Sequence, residues 1–306
     1  MSGGQPAREG YISFAGYRTW YQVTGESEEP GKFPLLCLHG GPGATWHHME
    51  PYRELAHGRR VICYDQLGCG NSAVTEDHDP AMWTTELYLS EVATIREQLG
   101  LEHCHVIGHS WGGMLGMAYA ATRPAGLVSL IVESSPANVP FWLTELAKLR
   151  AELPPEVDEV LRRHEAAGTT DSDEYQAAMV DFYDRHVCRV RPYPDWVQRT
   201  FDGIEANPEV YYTMNGPSEF HVVGPLKDFD ILRELGQIEA PTLLFCGEFD
   251  EVTPATVRQA HEAIPGSQFV VLDGCSHMSQ AERPDAALGL VGGWLAGVEA
   301  SLSSLR

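Results

Sequence analysis

The chain has 306 residues, enough for one large core or for a core carrying an insert. Its 43% apolar content is that of a globular protein and argues against disorder. Lys and Arg number 21 against 43 Asp and Glu, a net charge of -22, so the surface repels phosphate backbones and anionic bilayers, and neither nucleic acid nor a membrane is expected as a partner.

Residues 1–9 carry no apolar stretch of the kind an export signal requires. Two strand-like runs follow at 11–14 and 18–24, punctuated by Gly16 and Gly25. A pattern of short apolar run, glycine-rich turn and longer helical segment then repeats. The apolar runs lie at 35–38, 61–64, 105–107, 127–132, 242–246 and 269–272. They are nearly continuous, as parallel strands buried on both faces are. Helical patterns fall at 83–99, 111–122, 255–264 and 284–296. Such alternation predicts an α/β fold, with a mostly parallel central sheet flanked by helices.

The alternation lapses between about 138 and 223. This stretch is dense in Glu, Arg, Tyr, Trp and Pro, and its patterns at 141–153, 156–167 and 173–187 are helical. We read 138–223 as a helical cap set between two strands of a core formed by 1–137 and 224–306. A cap placed there would sit over the carboxyl ends of the strands, where open α/β sheets bind ligands. Its aromatic residues Phe141, Trp142, Tyr175, Phe182, Tyr183, Trp196, Tyr211 and Tyr212 are candidates for pocket lining or for helix packing.

Seven cysteines, at 37, 63, 69, 104, 188, 246 and 275, form no C-x-x-C pair and suggest neither a disulfide framework nor a zinc cage. No run approaches the roughly 20 apolar residues that span a bilayer. A cytoplasmic, reducing setting is the expectation.

Gly108-His109-Ser110-Trp111-Gly112 fits G-x-S-x-G, with a strand before it and a helix after it. That is the context of the nucleophile elbow of α/β-hydrolase folds, in which a strained turn presents the serine and the glycines remove clashing side chains. A serine hydroxyl needs a base. In this fold the triad runs Ser, acid, His along the chain. Asp250 follows the run 242–246 and His277 follows 269–272, so both reach the same sheet edge as Ser110. Of 13 histidines, only His277 lies in a loop after a terminal strand. Asp228 and Asp230 precede the strand, and Asp273 is too near His277 in sequence. His277 is then the base and Asp250 its orienting acid. His39-Gly40-Gly41-Pro42-Gly43 follows an earlier strand and matches the H-G-G loop that supplies one oxyanion N–H, the residue after the nucleophile supplying the other. Gly41 and Trp111 are the candidates.

Together with Asp65-Gln66-Leu67-Gly68-Cys69-Gly70-Asn71-Ser72, these motifs resemble the proline iminopeptidase group of α/β-hydrolases. Asn215-Gly216-Pro217-Ser218-Glu219-Phe220 and Gly247-Glu248-Phe249-Asp250-Glu251-Val252-Thr253-Pro254 resemble its tricorn-associated aminopeptidase and amino-acid amidase branch. The likeness runs from about residue 11 to 294 and is weakest in the cap. It implies a cofactor-free hydrolase that releases an N-terminal residue from a small molecule or short peptide with a free amino terminus. It also implies that Glu219 and Glu251 hold the substrate ammonium. A desolvated ammonium requires paired charge and hydrogen bonds.

Two other readings compete. An esterase or lactonase on neutral acyl groups would use the same triad and ignore the two glutamates, since fold and triad do not fix the substrate. A non-catalytic binding protein would have no use for an intact triad. A dehalogenase or epoxide hydrolase would carry Asp at the elbow. With no metal-ligand cluster and no G-x-x-x-x-G-K loop, neither metal nor cofactor is expected, and nothing in the sequence assigns an oligomeric state.

Overall fold

Eight strands form a single sheet: β1 (Ala7–Phe14), β2 (Tyr17–Thr24), β3 (Leu35–Leu38), β4 (Val61–Tyr64), β5 (Cys104–His109), β6 (Leu127–Glu133), β7 (Thr242–Gly247) and β8 (Gln268–Leu272). Their order is β1-β2-β4-β3-β5-β6-β7-β8. The computed structural model describes residues 7–304, so residues 1–6, on which the reading of the N-terminus partly rests, lie outside the described residues. β1, β2 and β4 pair antiparallel, and every later pairing is parallel.

Every residue of β3, β4, β5 and β7 is buried. The reason is visible in the alternation of side chains across a strand. Leu36, Leu38 and Val106 join a core on one face, with residues of α1 (Thr85–Gln98) and α2 (Trp111–Ala121). Leu35, Cys37 and Ile107 join a core on the other face. That second core also takes Trp46, Met49 and Tyr52 from a 3-10 stretch, Trp46–Leu55, that the sequence did not announce.

Between β6 and β7 the chain runs through five α-helices, two more than the sequence delineates: α3 (Val139–Arg150), α4 (Pro155–Ala167), α5 (Asp173–His186), α6 (Asp195–Ala206) and α7 (Glu209–Met214). Asn138 starts α3 by accepting from the Phe141 N–H at 2.6 Å, and Ser172 caps α5 in the same way. An isolated bridge pairs Asn138 with Asp230 where the chain leaves and rejoins the sheet. Tyr175, Phe182 and Phe220 pack into the same core as the sheet.

Three more helices complete the chain: α8 (Pro254–Ala263), the short α9 (Ser279–Glu282) and α10 (Pro284–Ser303). α10 corrects one sequence expectation. Its 20 residues are long and apolar enough, by length and composition, to cross a bilayer. Four glycines hide this in a scan for bulky apolar runs, because they interrupt the pattern without adding charge. In the structure α10 lies along the sheet, with Val291 and Leu295 in the second core. The seven cysteines are free and buried.

Candidate active site

Ser110 stands between β5 and α2 with φ 55° and ψ -125°. A non-glycine residue at positive φ costs of order 1–3 kcal/mol and persists only where its surroundings impose it. Here they do. The Ser110 N–H donates to Glu133 O at 3.0 Å, and the Ser135 hydroxyl donates to Ser110 O at 2.7 Å. A Cβ on Gly108 would strike the Gly112 carbonyl, and one on Gly112 would strike that of Leu38. The glycines of the elbow are therefore steric necessities of the turn.

The loop after β3 lies against this turn: a Cβ on Gly40 would come within 3.0 Å of Ser110 Cβ. The Gly40 N–H is already given to His48 Nε2 at 3.0 Å. Gly41, at φ +110°, instead lines a small cavity with Ser110 and Trp111. Trp111 opens α2, where helix geometry leaves its N–H without an intrahelical partner. Gln66 fastens the two walls together. Its Nε2 donates to His39 O at 2.8 Å, its N–H donates to His39 Nε2 at 2.9 Å, and its Oε1 accepts from Trp111 Nε1 at 2.8 Å.

His277 Nδ1 donates to Asp250 Oδ1 at 2.8 Å, and both side chains are almost wholly buried. Asp250 Oδ1 also accepts from the Val252 N–H, and Oδ2 from the Gly247 N–H. This fixes the His277 tautomer, with Nε2 facing away from the acid. Nε2 meets Glu251 Oε1 at 3.6 Å, and among the described residues no hydrogen bond joins it to Ser110. Burial opposes a charge on His277, but the Asp250, Glu251 and Glu219 carboxylates outweigh burial and hold it up at about 10.

Glu251 is 0% exposed, and neither of its oxygens accepts a hydrogen bond from any described residue. Burial drives its carboxyl well above the usual range, and neighbouring Glu219 adds to the effect. Glu219 accepts from the Tyr211 hydroxyl at 2.7 Å, and its N–H donates to the Tyr183 hydroxyl at 3.3 Å. Burial raises it too, against the Tyr211 hydrogen bond. The site thus gathers three carboxylates around one imidazole.

Of the cap aromatics, Trp142 lines the cavity beside Ser110, with Met114, Pro136, Val139 and Leu226; Glu219 lines it as well, but Glu251 does not. The cavity measures about 10 Å³, room for about one water. Tyr175 and Phe182 are packing residues, and Tyr212 is exposed. A wider groove of about 1360 Å³ opens at the opposite edge of the sheet, beside Arg123, Glu239 and Trp294, and shares no residue with the Ser110 cavity.

Several residues of the site escape sequence reasoning. The carbonyl of His186, the last residue of α5, accepts from both the Glu251 and the His277 N–H groups, at 3.2 and 3.1 Å. Glu133 accepts from the Tyr52 hydroxyl at 2.6 Å and the Ser279 hydroxyl at 2.5 Å, tying β6 to the segment after His277. Burial lifts it to about 7, against those two hydrogen bonds. His109 Nε2 donates to His277 O at 3.0 Å, and the His48 ring packs against that of His109, centroids 5.0 Å apart and planes tilted by 58°. Burial keeps both rings neutral by lowering them well below the ordinary histidine range. No motif signals these contacts; each joins segments remote in sequence. Among the described residues no group of three or more His, Cys, Asp or Glu has metal-holding geometry.

A family profile described as the alpha/beta hydrolase fold matches residues 34–284. The chain is 38% identical to a proline iminopeptidase of Heyndrickxia coagulans, over 94% of this chain and 98% of that one. Among solved structures, that of VinJ superposes with TM-score 0.92 at 44% identity, covering 95% of this chain and 99% of the other. The proline iminopeptidase of Mycobacterium smegmatis superposes with TM-score 0.89 at 41% identity, covering 96% and 100%.

Proposed function

The chain belongs to the proline iminopeptidase family of α/β-hydrolases, and from that premise we propose that it is a serine hydrolase releasing an N-terminal aminoacyl group through an acyl-enzyme on Ser110. Ser110 Oγ attacks the acyl carbon while His277 Nε2 takes its proton, and Asp250 holds the imidazole and offsets its charge. The Gly41 and Trp111 N–H groups receive the oxyanion. His277 then returns the proton to the leaving amine, and a water repeats the sequence to free the amino acid. The substrates are small aminoacyl amides or short peptides with a free amino terminus, and neither cofactor nor metal takes part.

The observation that carries the aminoacyl reading is Glu251. It is a fully buried carboxylate with no hydrogen-bond partner among the described residues, 3.6 Å from the base and beside a second carboxylate, Glu219. A buried anion is costly unless paired, and an α-ammonium is the pairing that such a site would accept. A neutral ester leaves both glutamates without an occupant, so the esterase or lactonase reading is not favoured. Residues 138–223 serve as the cap, supplying Trp142 and Glu219 to the site from above, over a core of 1–137 and 224–306. The free, buried cysteines support a reducing, cytoplasmic setting, and the net charge of -22 argues against nucleic acid as a partner.

A panel of aminoacyl anilides with proline, alanine, leucine and phenylalanine donors, each beside its N-acetylated form, tests the reading. The free-amine forms should be turned over at least about a hundredfold better, as for a buried charge left unpaired. Equal turnover of the blocked forms defeats it.

A further inference from the structure

The arrangement around His277 poses a problem that its catalytic part does not resolve. A base must be unprotonated to act, yet this imidazole faces carboxyl groups on nearly every side. Asp250 and Glu251 approach from the loop after β7 and Glu219 from the segment after α7, with Glu133 of β6 close by. The other neighbours, His109 at the elbow and His48 of the 3-10 stretch, are neutral, and Tyr183 and Tyr211 face the glutamates from α5 and α7. The contact at Nε2 is Glu251 Oε1, at 3.6 Å, on the nitrogen that must serve Ser110.

We propose that the substrate's own ammonium switches the site on: by pairing with Glu251 and Glu219 it takes Glu251 away from His277 Nε2 and leaves that nitrogen free to accept the Ser110 proton. The proposal rests on the aminoacyl reading above. In the empty site the imidazolium is the cation set against these carboxyl groups, while burial favours the neutral forms of Glu251 and Glu219. When the substrate ammonium enters, it assumes that part and one proton leaves Nε2 for water, so the net charge of the site is unchanged. With Glu251 Oε1 at 3.6 Å from Nε2 and Asp250 on Nδ1, His277 is held well above the ordinary histidine value and keeps its proton in most molecules at pH 7. A free amine therefore promotes the chemical step as well as binding. An acyl group without one meets a site whose base is occupied.

The test follows Ser110 labelling by an uncharged fluorophosphonate, which carries no amine, as a function of pH. Labelling requires neutral His277, so its rate rises with pH through the His277 midpoint. The midpoint should lie well above 7 in the wild type. Glu251→Gln should lower it by about one unit or more, raising labelling at pH 7 about tenfold. Saturating propylammonium should lower it in the wild type without any substitution, so the outcome does not hang on the folding of the variant. The proposal is overturned if neither perturbation moves the midpoint down. L-prolyl and N-acetyl-L-prolyl anilides, run beside the probe, separate the two claims. Preference for the free amine with an unmoved midpoint removes the switch alone, whereas no preference removes the aminoacyl reading.

Discussion

Gln66 shows how a single side chain can matter to the site without meeting the substrate. In the proposed mechanism the oxyanion is received by one N–H from the loop after β3 and one from the head of α2, and their separation must be right to within a fraction of an ångström. Gln66 holds the His39 carbonyl with its amide nitrogen and the Trp111 indole with its amide oxygen, both at 2.8 Å. Gln66→Leu, similar in volume but lacking the side-chain bonds to both walls, should lower kcat by about ten- to a hundredfold and leave KM nearly unchanged. Loss of a direct oxyanion donor costs about 10²–10³, and a positioning residue should cost less. Steady-state kinetics on a free-amine anilide read the split, and a rise in KM with kcat intact would place Gln66 in substrate binding instead. That Ser110, Asp250 and His277 come to the same edge of the sheet was legible in the sequence, because each follows a strand and chain order fixes which edge they share. Gln66 was visible only as part of a glycine-rich motif. Its task was not, because its partners lie 27 and 45 residues away.

At the level of elements, α5 clamps the two loops that carry Asp250 and His277. A helix ends with carbonyls that have no partner inside it. At the end of α5 the His186 carbonyl finds two, the Glu251 and His277 N–H groups, and the next carbonyl, Val187 O, takes the Met278 N–H at 2.9 Å. The helix is seated by Phe182, which is fully buried and packs its ring 4.8 Å from Phe220 and 4.9 Å from His186. Phe182→Ala should cost about 3–5 kcal/mol of stability. It should also lower kcat at temperatures where the variant is still fully folded, because the Asp250 and His277 loops lose a shared anchor. Urea unfolding paired with kinetics well below the melting transition checks both; normal kcat in a destabilised variant would show that the loops keep their places without α5. The sheet was legible from continuous apolar runs, and the first three helices between β6 and β7 from the helical patterns at 141–153, 156–167 and 173–187. α6 and α7 were not: both are short and set among prolines at 192, 194, 208 and 217, although α6 carries an apolar face that buries Val197. The clamp is carried by backbone groups and leaves no trace in side-chain pattern.

Over the whole molecule, buried ionisable groups set how stability responds to pH, and the two kinds act in opposite directions. Burial lifts Glu91 to about 8, Glu133 to about 7 and Asp65 to about 6. A carboxyl raised on folding binds its proton more tightly in the folded chain. Its contribution is complete below the unfolded value, near 4.5 for Glu, and is lost as pH rises through the folded value. The buried histidines do the reverse. His39 is lowered to about 4, and His48 and His109 are lowered well below the ordinary histidine range, first by burial and then by neighbouring imidazoles (chiefly His109 for His48, and His277 for His109), so stability is lost as pH falls below 6.5. The net charge of -22 adds self-repulsion on the alkaline side. The stability maximum should therefore fall in mildly acidic solution, where these two windows overlap. Glu91 offers the sharpest test, since it is fully buried, accepts from the Thr19 hydroxyl and the Leu67 N–H through one oxygen, and has no hydrogen-bond partner for the other among the described residues. Its rise from 4.5 to about 8 corresponds to a loss on the order of 4 kcal/mol between pH 4 and 9. Glu91→Gln, which cannot ionise, should fall by less than the wild type over that interval, whatever its stability at pH 5. Urea midpoints at pH 5, 7 and 9 give the two slopes, and parallel slopes would show that Glu91 does not carry the alkaline decline.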